Sequence, residues 1–367
     1  MDKPTTAYIG LGSNLQDREA SIRNALKILA EAEDIEVSRV SELIETAPLG
    51  GANQPDYLNA VAEIKTTLSA EDLHKKLADI ETSLGRTREE KWSPRILDLD
   101  LLLFGAEVIN SPDLTVPHPQ MHLRSFVLQG LSKLNSKLLH PVIKEPINEL
   151  AARLNGGNFI LNPDLPQLVS VAGIIGVGKT TLTKKLSNVL GRKPLLEAYD
   201  TNPFMPDVYA GKKELALDSQ LYFLTHRAKQ LNHNKLAPGQ IAITDYIFHK
   251  ELIYARRLLN AKQLALYEDF YPTFSAEIAA PVLVIYLTDS VQKCLEHIHK
   301  RNRPYEQKIE PQFLEALNSD YEQLFAYWKI CPVIRKQISK LDYKKDVDID
   351  HLANQIKFYV AQKSNKA

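Results

Sequence analysis

The sequence contains few cysteines, no excess of charge of either sign and no long apolar run. Cys294 and Cys331 are the only cysteines in 367 residues, which excludes a disulfide framework and favours a reducing compartment. Lysine plus arginine equals aspartate plus glutamate at 45 each, so no overall positive field attracts nucleic acid or an anionic membrane surface. The chain has no run of about 18 apolar residues, and its first residues lack the apolar core of a signal peptide. We therefore expect a soluble, cytoplasmic protein, and the net charge gives no support for binding to a nucleic acid polymer.

The length of the chain and one linker-like segment predict two domains. A single hydrophobic core rarely serves 367 residues, whereas two domains of ordinary size account for them. Glycine, asparagine and proline are concentrated at residues 153–167 (RLNGGNFILNPDLPQ), between two regions with regular apolar patterns. This change of composition predicts one domain over residues 1–157 and a second over residues 166–367.

The apolar patterns predict a different α/β fold for each domain. In the first half, short strands and amphipathic helices follow in the order β-α-β-β-α-β, with a helix beginning near Asp17, strands over 35–44 and 58–66, and a helix over 70–84. That order is typical of a ferredoxin-like α/β sandwich. In the second half, the apolar runs LVSVAG, IAITD and PVLVIYL alternate with long helical stretches. This rhythm predicts a parallel sheet flanked by helices.

One predicted strand of the first half carries two aspartates on the same face. In ILDLDLLLFG, Asp98 and Asp100 are two residues apart, so both carboxylates project from one side of the strand and can hold cations together. Arg86, Arg88 and Arg95 precede them, and guanidinium groups match the oxygens of polyphosphates. The combination predicts magnesium-dependent chemistry on a nucleoside triphosphate. The alternative is an acidic face exposed to solvent.

Four segments of the first half resemble the 6-hydroxymethyl-7,8-dihydropterin pyrophosphokinase family: YIGLGSNLQDR, TAPLGGANQPDYLNAV, WSPRILDLDLLLFG and LTVPHPQMHLRSFVL. The resemblance implies transfer of the β,γ-diphosphate of ATP to the pterin hydroxymethyl group, with Asp98 and Asp100 holding magnesium. It implies ATP contacts from Glu81, Arg86, Arg95, His118 and Arg124, and pterin contacts from Tyr57, Asn59 and Phe126. Trp92 would either cover the nucleotide or serve only in packing. His118, taken alone, would be a structural histidine.

The second half opens with a glycine-rich turn between a predicted strand and a predicted helix. The residues GIIGVGKT, from Gly173 to Thr180, fit the P-loop pattern GxxxxGK[ST]. In such a turn the N–H groups around Gly173, Gly176 and Gly178 cradle phosphates, Lys179 reaches the β- and γ-phosphates, and Thr180 is a magnesium ligand. The segment predicts ATP binding. By itself it does not distinguish a switch, a motor and a metabolite kinase.

Four segments of the second half resemble the deoxynucleoside kinase family: GIIGVGKTTL, LLEAYDTNPF, SQLYFLTHRAKQ and RNRPYEQKI. The resemblance implies phosphorylation of a deoxynucleoside 5′-hydroxyl, with Glu197 accepting its proton and Arg301 and Arg303 closing from a lid. It implies nucleoside contacts from Tyr209, Gln220, Arg227 and Glu306, aromatic walls at Phe204 and Phe223, and magnesium near Asp245 as well as Thr180. Related kinases are commonly dimers, so the resemblance also implies a homodimer through this domain.

The end of the third predicted strand of this half departs from that family. Residues 244–247, TDYI, retain Asp245 but lack the arginine that relatives place after the acid, and Lys250 and Arg256 are the candidates to replace it. The preferred hypothesis is a bifunctional enzyme of folate synthesis and deoxynucleoside salvage. The alternatives for the second domain are a nucleotide-binding regulatory module whose catalysis has decayed, and a kinase for another small acceptor such as a nucleoside monophosphate.

Overall fold

The computed structural model describes residues 3–49, 54–86, 94–340 and 346–361. The chain divides into two compact units between Ile160 and Leu161. Arg88 and Trp92, which the sequence analysis considered as contacts of a nucleotide, lie outside the described residues. Within the described ranges, no helix has both the length and the apolar composition needed to cross a membrane.

The first unit contains an antiparallel sheet with helices packed against it. Its described elements are β1 (Thr5–Ser13), α1 (Arg18–Ala30), β2 (Ile35–Val40), β3 (Ile44–Thr46), β4 (Tyr57–Thr66), α2 (Ala70–Ser83), β5 (Asp98–Phe104), β6 (Ile109–Asn110), β7 (Thr115–Val116), α3 (Ser125–Leu134) and α4 (Ile147–Leu154). The strand order in the sheet is β2-β4-β1-β5, and β3 pairs with β4. The predicted α/β class is therefore confirmed, with β3 as an additional short strand.

Side-chain caps and apolar spacing explain where the two helices of the sheet layer form. Asp17 caps α1 by accepting a hydrogen bond from the N–H of Ala20 at 3.0 Å, and Ser69 caps α2 in the same way. The buried positions of α1 are three and four residues apart, which gives one apolar face: Ile22, Ala25 and Leu29. The helix predicted to begin near Asp17 therefore does so because that residue supplies the cap.

The strand predicted over residues 35–44 is wrong at residues 41–43, near its end. β2 ends at Val40 and β3 begins at Ile44. Between them, the N–H of Ser41 donates to the carbonyl of Val61 at 2.8 Å, but the N–H of Val61 donates to the Ser41 hydroxyl at 2.9 Å. A side chain thus replaces a backbone carbonyl in the pairing pattern, as serine often does near the ends of regular elements.

A buried histidine makes the first unit sensitive to acid. His140 is 3% exposed, and its Nδ1 accepts hydrogen bonds from the N–H groups of Val142 at 3.3 Å and Ile143 at 3.2 Å. The ring of His122 lies 6.3 Å away, edge to face. Burial, with a smaller contribution from His122, lowers the pKa of His140 to about 3. The folded unit therefore holds this imidazole in its neutral form.

We expect the first unit to lose stability between pH 7 and pH 5 through His140. The unfolded chain protonates this histidine below its ordinary pKa of about 6.5 whereas the folded unit does not, which lowers the free energy of unfolding by about 2 kcal/mol over that interval. His140→Asn retains an acceptor for the two N–H groups but does not titrate. Native-state hydrogen exchange of α3 amides reports the free energy of opening, and this free energy should depend less on pH in the variant than in the wild type. Equal pH dependence in the wild type, His140→Asn and the control His74→Asn would contradict the prediction.

The second unit contains a parallel sheet with helices between its strands. Its described elements are β8 (Gln167–Ala172), α5 (Lys179–Val189), β9 (Pro194–Leu195), α6 (Met205–Tyr209), α7 (Ala216–Leu231), β10 (Ile241–Thr244), α8 (Lys250–Leu258), α9 (Ala261–Ser275), β11 (Pro281–Thr288), α10 (Val291–Arg301), α11 (Pro311–Ala326), β12 (Val333–Gln337) and α12 (Asp346–Tyr359). Among the described residues, five strands pair in the order β12-β11-β8-β10-β9, all in parallel. The predicted parallel sheet is confirmed.

Three strands of this sheet end beside chemically active residues. β8 is buried at every position, as expected of a central parallel strand covered on both faces, and it ends immediately before Gly173. β9 ends two residues before Glu197, and β10 ends immediately before Asp245. Because the carboxyl ends of parallel strands meet at one edge, these residues gather where ligands bind in open α/β sheets.

Candidate functional sites

Asp98, the first aspartate predicted to bind magnesium, lies at the beginning of β5 between two arginines. Its Oδ1 accepts a hydrogen bond from Arg95 Nη1 at 2.8 Å and lies 3.0 Å from Arg86 Nη1. Burial, together with the neighbouring Asp100 carboxylate, raises the pKa of Asp98 above its usual value. The structure therefore places two of the predicted phosphate-binding arginines on this carboxylate.

Asp100, the second aspartate, has a separate set of basic neighbours. Its Oδ2 accepts a hydrogen bond from Arg124 Nη1 at 3.0 Å, and His118 Nε2 lies 3.7 Å from the same oxygen. Burial opposes ionisation of Asp100, but His118 and Arg124 outweigh it and hold the pKa of Asp100 below its usual value. One acid is thus kept ionised while its neighbour is made harder to ionise, as expected of two close carboxylates.

Glu81 lies beneath these acids and connects α2 to β5. Its Oε1 accepts the N–H of Leu99 at 2.6 Å, and the same carboxylate pairs with Arg86. Burial raises the pKa of Glu81, and the Leu99 N–H and Arg86 oppose that effect. Glu81 and Arg86 are not among the described residues that line the cavity beside the aspartates. The contacts observed for Glu81 position the strand that carries the two acids.

A cavity of about 320 Å³ opens beside Asp98 and Asp100. The three residues predicted to contact a pterin all line it: Tyr57, Asn59 and Phe126. Three of the predicted phosphate-binding residues line it as well: Arg95, His118 and Arg124. Asn59 Nδ2 donates to Thr46 Oγ1 at 2.9 Å. A Cβ at Gly12 would lie 3.1 Å from Asn59 Oδ1, so glycine there leaves room for the amide.

The predicted P-loop forms a tight turn between β8 and α5. Gly173, Gly176 and Gly178 all have positive φ angles, at 141°, 83° and 96°, a region that favours glycine. A Cβ at Gly176 would lie 2.3 Å from the carbonyl oxygen of Cys294, so the turn rests directly against α10. Lys179 Nζ donates to the carbonyl oxygen of Ile174 at 2.8 Å and so lies folded over its own loop.

Asp245 connects the P-loop to the strand end that carries Glu197. Thr180 Oγ1 donates to Asp245 Oδ2 at 2.6 Å, and the N–H of Glu197 donates to Asp245 Oδ1 at 2.8 Å. Thr180 and Asp245, the two residues predicted to lie near magnesium in this half, are therefore adjacent. Both line the same cavity as Glu197.

Glu197 is held by two buried cations. Lys250 Nζ donates to both of its carboxylate oxygens, at 2.9 and 2.8 Å. Arg227 pairs with Glu197 on one side and with Glu251 on the other. Glu251 is fully buried and also accepts a hydrogen bond from the Tyr267 hydroxyl. The result is a continuous buried network in which each charge has an opposite partner, as burial requires.

Of the two basic residues considered as replacements for the arginine that this chain lacks after Asp245, Lys250 lies against Glu197 and Arg256 does not. Lys250 begins α8 and is buried against Glu197, whereas the side chain of Arg256 is 61% exposed and pairs with Glu268 at 3.3 Å. Burial, with Arg227 nearby, lowers the pKa of Lys250 well below its usual value. Of the two candidates named from the sequence, only Lys250 reaches the site.

A cavity of about 290 Å³ connects the P-loop with Glu197. All but one of the residues predicted to contact a nucleoside line it: Tyr209, Gln220, Phe223, Arg227 and Glu306. Phe204, the other predicted aromatic wall, is not among the described lining residues. Gln220 is buried, and its side-chain amide forms no hydrogen bond with another described residue. The Arg227 guanidinium lies 4.6 Å from the ring centre of Phe223. The cavity thus offers an aromatic face and a free amide at one end.

The two arginines of the predicted lid also line this cavity. Arg301 Nε donates to Glu306 Oε2 at 3.1 Å. Arg303 Nη2 donates to Asp200 Oδ2 at 3.3 Å, and the Tyr305 hydroxyl donates to the other oxygen of Asp200 at 3.3 Å. The segment around Arg303 is therefore fastened to the loop that follows Glu197.

Residues 8–136 match the family described as 7,8-dihydro-6-hydroxymethylpterin-pyrophosphokinase (HPPK), and residues 169–361 match the family described as deoxynucleoside kinase. The chain belongs to both families. Its pyrophosphokinase domain is 46% identical over 128 residues to the 2-amino-4-hydroxy-6-hydroxymethyldihydropteridine pyrophosphokinase of Bacillus subtilis, a match of 35% of this chain and 77% of that protein. Its kinase domain is 38% identical over 157 residues to the deoxyguanosine kinase of Bacillus subtilis, a match of 42% of this chain and 76% of that protein.

A solved structure is also similar to the kinase domain. It is deoxyadenosine kinase from M. mycoides with bound dATP, which is 26% identical and matches 52% of this chain and 99% of that one, with a TM-score of 0.46. Both families use ATP, so ATP is the shared co-substrate of the two domains.

The acidic residues of both domains fit magnesium that is completed by phosphate oxygens. Among the described residues, no group of three or more histidine, cysteine or acidic side chains could enclose a metal. Magnesium in kinases is commonly held by one or two carboxylates together with substrate phosphates and water, so such an enclosure is not required. The pyrophosphokinase domain offers Asp98 and Asp100 on one strand face, and the kinase domain offers Thr180 beside Asp245.

Three residues of the kinase domain have contacts that the sequence analysis did not foresee. Glu251 completes the buried ion pairs of Arg227, Tyr199 bonds to Tyr209, and Asp200 fastens the lid. Tyr199 and Asp200 lie two and three residues after Glu197, and that short distance was the available signal. The sequence offered no such signal for Glu251, because an acidic residue within a helical pattern usually faces solvent.

Proposed function

We propose that the chain is a bifunctional enzyme that uses ATP in two reactions. The pyrophosphokinase domain transfers the β,γ-diphosphate of ATP to the hydroxymethyl group of 6-hydroxymethyl-7,8-dihydropterin and releases AMP. The kinase domain transfers the γ-phosphoryl group of ATP to the 5′-hydroxyl of a deoxynucleoside. The similarity to two Bacillus subtilis enzymes supports both halves. The observation that carries the second is the gathering of Glu197, the P-loop and the lid arginines around one cavity.

In the pyrophosphokinase domain, the cavity residues suit a flat heteroaromatic substrate beside a polyphosphate. Tyr57 and Phe126 supply aromatic faces, and Asn59 supplies an amide that recognises ring-edge atoms. Asp98 and Asp100 would hold magnesium, which neutralises charge on the phosphate oxygens. Arg95 and Arg124 line the same cavity and pair with those oxygens. No described side chain needs to act as a strong base, because the work of the site is positioning and charge neutralisation.

In the kinase domain, Glu197 accepts the proton of the attacking 5′-hydroxyl. Its position at the end of β9 is fixed by the N–H bond to Asp245 and by Lys250 and Arg227. Lys179 turns from its own loop to the β- and γ-phosphates when ATP binds. Thr180 and Asp245 would hold magnesium, and Arg301 and Arg303 screen the charge on the transferred group.

The remaining cavity residues orient the nucleoside. Gln220 pairs with the edge of the base through its unoccupied amide, and Phe223 stacks on the face of the base. Tyr209 and Glu306 hold the 3′-hydroxyl of the sugar. These contacts place the 5′-carbon toward Glu197, since the sugar is then anchored at its base and at its 3′-oxygen.

Lys250 is the positioning cation for Glu197, and its replacement should slow the kinase. Lys250→Met leaves the carboxylate with Arg227 alone, and we expect kcat for deoxynucleoside phosphorylation to fall about 100-fold, the loss typical of removing one preorganised charge. Lys250→Arg should retain most of the activity because it restores the charge. Arg256→Met is the matched control on the same helix. Steady-state ADP formation measures the activity of each variant. Equal activity of Lys250→Met and Arg256→Met would contradict this role.

A substrate panel on the purified full chain tests the bifunctional proposal. Deoxyguanosine is the first nucleoside to offer, because the similar Bacillus subtilis enzyme is a deoxyguanosine kinase. Deoxyadenosine, deoxycytidine, thymidine and the corresponding monophosphates complete the panel, each with ATP and magnesium. Phosphorylation of a deoxynucleoside supports the proposal. Activity on monophosphates alone favours a kinase for another acceptor. If no compound is phosphorylated while pterin-dependent release of AMP from ATP is intact, the result favours a decayed regulatory module.

A homodimer through the kinase domain stays a prediction that follows from the family resemblance. Light scattering of the purified chain at several concentrations measures the mass directly. A monomeric mass at every concentration would contradict the predicted homodimer.

A further inference from the structure

The side chain of Tyr199 lies between two groups that the proposed function assigns to different parts of the nucleoside. Its hydroxyl lies 3.1 Å from the hydroxyl of Tyr209. Its ring centre lies 5.8 Å from that of Phe223. Tyr199 also lines the cavity that contains Glu197 and the P-loop. A single aromatic side chain therefore touches both the residue assigned to the 3′-hydroxyl and the residue assigned to the base.

The position of the sugar relative to Tyr199 follows from the connectivity of a furanose ring. The base is attached to C1′ and the 3′-hydroxyl to C3′, and the ring joins these carbons through C2′ on one edge and through C4′ and O4′ on the other. The proposed function directs the C4′ edge, which carries the 5′-carbon, toward Glu197, so the side chain that extends from Tyr209 to Phe223 is assigned to the C2′ edge. The 5′-carbon is on the other side of C3′, where Glu197 accepts its proton.

Neighbouring side chains pack against Tyr199 outside the cavity. Its ring lies 5.9 Å from that of Tyr305, and the guanidinium of Arg303 lies 5.0 Å from its ring centre. Arg303 and Tyr305 are in turn fastened to Asp200, the residue next to Tyr199. Burial and the neighbouring Tyr209 raise the pKa of Tyr199 well above its usual value, so the hydroxyl remains protonated and bonded to its neighbour.

We propose that Tyr199 selects deoxyribonucleosides by filling the space beside C2′. The inference rests on the proposed function, because it takes the 3′-hydroxyl and base contacts from that assignment. Hydroxyl oxygens on adjacent furanose carbons lie within hydrogen-bonding distance of each other, as do the hydroxyl oxygens of Tyr199 and Tyr209. A 2′-hydroxyl placed beside a 3′-hydroxyl on Tyr209 therefore meets the Tyr199 hydroxyl or its ring. Since packed interiors resist displacement, the ribonucleoside binds in a poorer position for reaction.

The test compares a deoxynucleoside with the matching ribonucleoside in three variants. Deoxyguanosine and guanosine differ only at C2′, and the same pair is used for any other base that the wild type accepts. Tyr199→Leu removes the ring and hydroxyl, and we expect the ratio of kcat/KM for the ribonucleoside over the deoxynucleoside to rise about 10-fold or more. Tyr199→Phe removes only the hydroxyl, keeps the fold, and should raise the ratio about threefold. Tyr222→Leu is the matched control, because this tyrosine bonds to Thr201 and does not line the cavity.

The outcomes separate this inference from the proposed function. A wild type that prefers the deoxynucleoside, with a raised ratio in both Tyr199 variants and an unchanged ratio in Tyr222→Leu, supports the inference. An active wild type whose ratio is the same in all variants overturns the inference and leaves the proposed function standing. A wild type that uses both sugars equally also overturns it. A wild type that phosphorylates neither sugar overturns the proposed function, and the inference with it.

Discussion

Asp98→Asn should abolish pterin-dependent AMP formation and leave nucleoside-dependent ADP formation unchanged. The substitution keeps the shape of the side chain but removes one of the two charges on the cavity face of β5. Metal-assisted charge neutralisation contributes several kcal/mol to transfer from ATP, so we expect a loss of about 10³-fold in kcat/KM for the pterin. A coupled assay that separates AMP from ADP measures both reactions in one preparation.

Two further variants make that result specific. Asp113→Asn, an exposed aspartate of the same domain, should leave AMP formation intact. Lys179→Met should give the opposite pattern, with ADP formation lost and AMP formation kept, since Lys179 belongs to the P-loop of the kinase domain. Loss of both activities in either Asp98→Asn or Lys179→Met would contradict the assignment of one reaction to each domain.

Glu197→Gln should lower kcat for deoxynucleoside phosphorylation about 10³-fold, with a much smaller change in KM. The amide retains the size of the side chain and accepts the hydrogen bond of Lys250, but it does not accept the proton of the 5′-hydroxyl. General base catalysis contributes about 10²- to 10⁴-fold in enzymes, and the amide removes it entirely. Steady-state kinetics measure the effect, and isothermal titration with the nucleoside checks that binding is retained.

The control for this prediction is a glutamate of the same domain that lies outside the cavity. Glu296 is exposed on α10, and Glu296→Gln should behave as the wild type. If Glu197→Gln kept more than a tenth of the wild-type kcat, another group would have to accept the proton. Asp245 is the carboxylate to test next, because it contacts the backbone N–H of Glu197 and lines the same cavity.

The sequence could predict the fold class, the aspartate pair and the P-loop because those signals are local, whereas the other site residues followed from the family resemblances. Asp98 and Asp100 share a face through the two-residue period of a strand, and the P-loop is one continuous segment. The parallel sheet of the second half was predicted from apolar runs that alternate with helical stretches, whereas its strand order was not predicted. At Ser41 the same reasoning failed, because a single hydroxyl bond to Val61 interrupts a strand whose apolar pattern continues.

The choice between Lys250 and Arg256 could not be made from the sequence. Both are basic and both lie in the segment after Asp245, and neither pattern nor propensity says which one faces Glu197. The answer depends on where α8 begins and on the burial of Glu251 against Tyr267, a contact between two helices whose partners lie 16 positions apart in the sequence. Such contacts exist only after the helices pack, so tertiary structure decides them.

The absence of a side chain at Gly176 links two parts of the kinase that are far apart along the chain. The phosphate-binding turn touches the backbone of α10 at Cys294, and α10 ends at Arg301, the first arginine of the lid. A methyl group at position 176 would push that helix outward and carry the arginine with it. The absence of a side chain at Gly176 therefore lets α10 pack where it carries Arg301 to the cavity. A substitution at this position is expected to displace the lid arginine as well as to crowd the phosphates.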